Sequence, residues 1–309
     1  MSGTHAHHHG HHHGPAVSSA DLGTAFKWAV GLNAGFVVAE AAAGFTTGSL
    51  ALLADAAHNL TDVLGLLIAW GAAIATKRVP TARFTYGLGR STILAALANA
   101  VAILLGVGGV IWEAAHRFSE PVAVPAYTVM IVAGIGIAIN AGTAMLFLRD
   151  RRNDLNAEGA FLHMAADAAV SLGVVISALI LVGTGWTWVD PLTAILVSVA
   201  IAWSAYGLLR SSMRLSLDGV PEGVDRTAVE TWLRQRPGVR DIHDLHVWAL
   251  STTSTALTAH LVMPDGHPGD AFLAELAEEL RAHHKVAHAT LQIELGNGPD
   301  CILAPAGSV

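Results

Sequence analysis

The sequence predicts a membrane protein: an all-α bundle of six transmembrane helices followed by a small cytoplasmic α+β domain of order αββαβ. Three observations predict it. Of 309 residues, 53% are hydrophobic and only 13% charged, more apolar than a soluble domain of that length needs to be. Runs of about 20 apolar residues, enough to cross roughly 30 Å of hydrocarbon, recur along the first two thirds of the chain. After Arg214 the composition turns to a charged, mixed pattern.

The predicted spans lie near Thr24 to Phe45, Leu50 to Thr76, Ser91 to Trp112, Tyr127 to Leu148, Glu158 to Val182 and Trp188 to Leu209. Their apolarity comes from Ala, Val, Leu, Ile and Gly, residues that let helices pack closely in lipid. Lys77, Arg78, Arg83 and Arg90 follow the second span, Arg149, Arg151 and Arg152 the fourth, and Arg210 and Arg214 the sixth, whereas the opposite loops hold only Arg117. The positive-inside rule then puts both termini in the cytoplasm, with the cell's inner membrane as the expected location. The chain opens on a polar histidine tract instead of a basic region and a short apolar core, so no cleavable signal peptide is expected.

The soluble part reads as helix over Val224 to Gln235, strands over Ile242 to Leu250 and Ala256 to Met263, helix over Ala271 to His283, and a strand over His288 to Leu295. The expected organisation is therefore a histidine-rich N-terminus (1–23), a transmembrane domain (24–213), a cytoplasmic domain (214–296) and a tail (297–309). A single cysteine, Cys301, excludes a disulfide framework, a cysteine-based zinc finger or a cysteine pair for copper(I) within one chain. The formal charge of −7 and the absence of a strongly basic patch give no reason to expect nucleic acid as a partner.

A charged side chain at the centre of a span costs about 2.5 to 3.5 kcal/mol on insertion scales, so it is usually aimed at a protein interior and usually functional. Glu40, Asp55, Asp62, Asp167 and Asp190 lie within or at the ends of the spans. Asp190 precedes Pro191, which reads as an N-cap followed by proline at the first helical position. One spacing organises the rest. His58 and Asp62 in HNLTD, and His163 and Asp167 in HMAAD, are each four apart on a helix, which stacks an imidazole and a carboxylate on one face. The bland reading is hydrogen bonding between helices. If the two faces meet, two nitrogens and two oxygens converge, a set that suits zinc, with cadmium and cobalt as competitors, and suits copper(I) poorly. The two helices run in opposite directions, and each reaches its histidine roughly 12 Å from its entry point, which sets both pairs near the midplane. Asp55 reads as an entry-path group or hydrogen-bond partner, and Glu40 as a buried network member or proton carrier.

The runs GSLALLADAAHNLTDVLGLLIAW, TYGLGRSTILAALANA, HMAAD and HDLHVW together resemble the cation diffusion facilitator family of divalent-metal transporters, closest to its zinc branch, over about Phe26 to Glu294. The resemblance implies six transmembrane helices, a ferredoxin-like cytoplasmic domain, a homodimer, and exchange of cytosolic zinc for protons, with the chain acting as an antiporter rather than an enzyme. It places the intramembrane metal site on His58, Asp62, His163 and Asp167, the four residues that spacing also selects. It further implies a cytoplasmic, regulatory zinc site on His243, His260 and Glu294, against the plainer reading of exposed histidines on a polar sheet face. His246, His267 and His288 are accessory candidates, and Gln292 stands where some members have a histidine. Strand alternation would turn His243 and His246, three apart, to opposite faces.

His5, His7, His8, His9, His11, His12 and His13 form a tract that binds zinc or nickel weakly, whether as an expression tag or as a native ion collector. Two other function classes are a membrane-embedded metal sensor and an intramembrane metalloenzyme. The enzyme would need a general base beside an open metal position, commonly HExxH, and neither HExxH nor GxSxG occurs.

Overall fold

The structure is a computed structural model that describes residues 19–76, 79–148, 155–298 and 301–304. The histidine tract, Lys77, Arg78, Arg149, Arg151 and Arg152 lie outside the described residues, as do the side chains of Asp62 and His163.

Six long helices come first: α1 (Ser19–Thr47), α2 (Leu50–Thr76), α3 (Ser91–Arg117), α4 (Ala126–Phe147), α5 (Leu155–Thr184) and α6 (Val189–Ser216). Helices α1, α3 and α6 extend past the predicted spans by a turn or more at one end, because apolarity marks the hydrocarbon and not the helix end. Among the described residues, four stretches are long and apolar enough to cross a membrane: Ser91–Arg117, Ala126–Met145, Met164–Thr184 and Val189–Ser216. A domain of α7 (Arg226–Arg234), β1 (Asp241–Ala249), β2 (Thr255–Val262), α8 (Asp270–His284) and β3 (His288–Glu294) follows, the expected αββαβ order.

The chain divides into two compact units, Met1–Leu60 with Ala114–Ala194, and Thr61–Glu113 with Ile195–Val309. In the first, α4 packs along α5 and against α1. Ala51 and Leu52 of α2, Val129 and Ala133 of α4, and Val174 and Ala178 of α5 form its buried apolar core. Small residues permit this closeness. A Cβ on Gly136 of α4 would lie 2.8 Å from Phe36 Cζ and 3.2 Å from Ser171 Oγ, so the glycine lets α1 and α5 approach the same helix.

Asp190 behaves differently from its sequence reading. Instead of capping α6, its carboxylate accepts a hydrogen bond from Ser49 Oγ at 2.5 Å and from the Leu50 N–H at 2.8 Å. It therefore satisfies the start of α2, whose first N–H groups have no intrahelical acceptor. Gly48, at φ 68°, turns the chain between α1 and α2, and its carbonyl accepts a hydrogen bond from Arg117.

In the second unit, Ile103 and Val107 of α3 pack on Ile201 and Ala205 of α6. The small domain's sheet has order β1-β2-β3, with β1 antiparallel and β3 parallel to β2. Val229 and Leu233 of α7 and Leu276 and Leu280 of α8 cover one sheet face, against Ile242, Leu245, Val247, Leu257, Ala259 and Leu261. The other face is left polar. The Asp225 carboxylate caps α7 by accepting from the N–H groups of Thr227 and Ala228 at 2.9 and 3.0 Å.

Candidate metal centres

Helices α1, α2 and α5 bring ionisable groups together between apolar surfaces. His58 Nε2 on α2 lies 3.0 Å from Asp167 Oδ1 on α5. Asp167 is buried, and the His58 side chain is 20% exposed, so the pair sits at the edge of the sealed interior. One turn separates each of these from its proposed co-ligand: Asp62 follows His58 on α2, and His163 precedes Asp167 on α5.

Beside this pair lies a second polar group. Ser171, one turn beyond Asp167, donates to Asp55 Oδ2 at 2.8 Å. Asn59 donates to Glu40 Oε2 at 3.1 Å and reaches Asp55 Oδ1 at 3.5 Å. Glu40 and Asp55 are both fully buried. A neutral amide bridging two carboxylates is a good solution in a dry interior, because it supplies donors without adding charge. Sequence alone does not single out Asn59; its position next to His58 and four after Asp55 is the available signal.

The small domain gathers donors on its open face. His243 Nε2 lies 3.3 Å from Glu294 Oε2, and His260 Nδ1 lies 2.9 Å from Glu294 Oε1. The two imidazoles meet edge to face with centroids 5.1 Å apart. His243 pairs across the sheet with His260, and Gln292 and Glu294 pair with His260 and Val262 of β2, so three strands converge on one spot. Gln292 Nε2 donates to Glu294 Oε1 at 3.0 Å. Glu294 is partly desolvated, which alone would raise its pKa, yet hydrogen bonds from Cys301 and Gln292 and the nearby His243 and His260 hold the carboxyl below its usual range.

The expected alternation of His243 and His246 fails, and a β-bulge is the cause. The register shifts between them: His243 faces His260, while His246 faces Thr258. His260 and Thr258 are two apart and share a face, so both β1 histidines end on the polar side. Asp244, inside the bulge at φ 50°, receives His246 Nε2 at 2.8 Å and stands 3.5 Å from His260 Nε2. His246 thus turns to Asp244 rather than to Glu294. His267 accepts from the Gly269 N–H at 3.0 Å on an exposed turn, and His288 stacks edge-on against Tyr86 with centroids 5.6 Å apart.

Apolar helices with ionisable side chains held between them, joined to a sheet domain with a histidine-rich face, define the class: a multi-pass membrane protein. Comparison with known proteins makes it specific. Residues 27–215 match the family description "Cation efflux transmembrane domain", and residues 221–295 match "Cation efflux protein, cytoplasmic domain". The zinc transporter ZitB of Escherichia coli is 38% identical over 303 residues, covering 97% of this chain and 96% of that protein. The metal cation efflux system protein CzcD of Cupriavidus metallidurans is 37% identical over 297 residues, covering 96% and 91%. The cadmium, cobalt and zinc/H(+)-K(+) antiporter of Bacillus subtilis is 33% identical over 265 residues, covering 84% and 85%. The chain belongs to the cation efflux family.

Proposed function

We propose that this chain exports divalent cations, zinc foremost, in exchange for protons, through a site made of His58, Asp62, His163 and Asp167. The observation that carries the reading is the 3.0 Å approach of His58 on α2 to Asp167 on α5, since each is the described half of a His/Asp pair at helical spacing. Zinc is named because relatives covering almost the whole chain are called zinc transporters, with cadmium and cobalt named for a third. An imidazole and carboxylate donor set accommodates all three ions.

The exchange follows from ligand chemistry. A histidine or carboxylate must be deprotonated to hold the ion, so metal and proton compete for the same groups. Histidine titrates near neutral pH, which makes the competition sensitive to physiological proton gradients. Zinc enters the deprotonated site open to the cytoplasm; protons from the far side displace it there. The wider reading includes six crossings, cytoplasmic termini, a homodimer, domains at 24–213 and 214–296, and a regulatory zinc held by His243, His260 and Glu294. Glu40 and Asp55 serve as a hydrogen-bonded support beside the pathway, and the histidine tract as an ion collector.

Metal-driven proton flux in proteoliposomes, run with a panel of divalent ions, tests this. Wild-type chain should move protons with zinc, and Asp62→Ala or Asp167→Ala should abolish the flux while the protein stays folded. Retained flux in either variant overturns the site. His58→Asp should shift the preference toward manganese or iron. A sensor that binds without moving ions would give metal binding with no proton flux at all.

A further inference from the structure

We propose that Cys301 is a fourth metal donor of the cytoplasmic site, making it a two-nitrogen, one-oxygen, one-sulfur centre that fastens the C-terminal tail to the sheet and favours softer ions. The inference rests on the regulatory site proposed above and adds its donor set and its selectivity. Cys301 Sγ lies 3.6 Å from His260 Nδ1, and one donor atom from each of His243, His260, Glu294 and Cys301 falls within 4.8 Å of the other three. Donors round a tetrahedral zinc, at bond lengths of about 2.0 to 2.3 Å, stand roughly 3.3 to 3.8 Å apart, so a contraction of about an ångström closes the set.

Two further features fit an ion here. His243 Nε2 is sealed from solvent without a hydrogen-bond partner among the described residues, its 3.3 Å approach to Glu294 being an ion-pair distance only. His260 has Asp244 on its far nitrogen, at 3.5 Å, which orients the ring with Nδ1 toward Glu294 and Cys301. A carboxylate behind a ligating imidazole is the usual outer support of a metal site. The sulfur also supplies what Gln292 lacks: a neutral amide is a poor replacement for an imidazole or thiolate. A thiolate shifts preference from manganese toward zinc and, further, cadmium.

The chain has one cysteine, so a thiolate-to-cadmium charge-transfer band in the ultraviolet has a single source. Full-length protein in detergent, titrated with cadmium, should develop the band to saturation, and zinc should suppress it by competition. Cys301→Ser should lose it. His260→Gln and Glu294→Gln should weaken the cadmium affinity read from the band, and Asp244→Asn should weaken it by about tenfold, the usual cost of removing an outer support. Zinc should slow maleimide labelling of Cys301 in wild type but not in Glu294→Gln. No band, or a band indifferent to the His260 and Glu294 substitutions, overturns the proposal. Repeating the titration in Asp167→Ala separates the two readings: the band should persist where transport is lost.

Discussion

Asp190 is a buried carboxylate placed to settle the backbone at the start of a helix. It accepts from Ser49 Oγ and the Leu50 N–H, so it fixes where α2, the helix of His58, begins. Asp190→Ala should destabilise the protein by about 1 to 2 kcal/mol, the usual cost of losing a helix cap, read as a lower unfolding midpoint in detergent. Once folded, it should still support zinc-driven proton flux. Loss of flux with an unchanged midpoint would instead place Asp190 in the ion pathway. Asn59 carries a different expectation. Its amide bridges Glu40 and Asp55, and Asn59→Leu should cost about 1 to 3 kcal/mol through the buried acceptors it strands.

The elements show where sequence reasoning holds and where it stops. The span Leu50 to Thr76 coincides with α2, because an apolar run without lysine or arginine, bounded by Gly48 and a basic loop, leaves little freedom in where the helix lies. The αββαβ order was equally legible, since periods of 2 and 3.6 separate cleanly in a half-buried domain. The bulge in β1 was not. It adds one residue to a strand whose pattern otherwise alternates, and it needs Asp244 at positive φ, which aspartate tolerates better than most residues. Cys301 was hidden for another reason: a turn-rich stretch, LGNGPD, separates it from Glu294, and only the fold returns it to His260. The start of β1 also carries a pH expectation. Arg234 hydrogen-bonds Asp241 at 2.6 Å and holds its carboxyl below the usual carboxylate range. A lowered folded pKa means stabilisation present above the unfolded value and lost as pH falls through the folded one. Because both side chains are well exposed, Asp241→Asn should cost well under about 1 kcal/mol near neutral pH. The difference from wild type should vanish in acid, and a difference that persisted there would point to a cause other than charge.

At the scale of the molecule, the question is how the small domain addresses the helices in its own compact unit. The β1–β2 hairpin tip meets the start of α3: the Thr252 N–H donates to Thr92 Oγ1 at 2.9 Å, and Arg90 pairs with Asp218 just past α6. Gly89 makes this seat possible. A Cβ there would lie 2.6 Å from the Leu250 carbonyl oxygen, a distance that real side chains do not occupy, and the obstacle is backbone that cannot rotate away. Gly89→Ala must therefore lift the hairpin or displace the start of α3, at a cost of about 1 to 3 kcal/mol by analogy with overpacked cores. Metal held on the sheet can influence transport through contacts of this kind, because coupling is carried by packed elements with two arrangements. In Gly89→Ala the cadmium band at Cys301 should remain, since its donors are untouched, while occupancy of that site should no longer alter zinc-driven flux. Thr92→Ala, which removes one acceptor and introduces no clash, should weaken the same dependence without abolishing it. If flux in Gly89→Ala still follows occupancy of the sheet site as in wild type, the hairpin seat is only structural and the signal travels by another route.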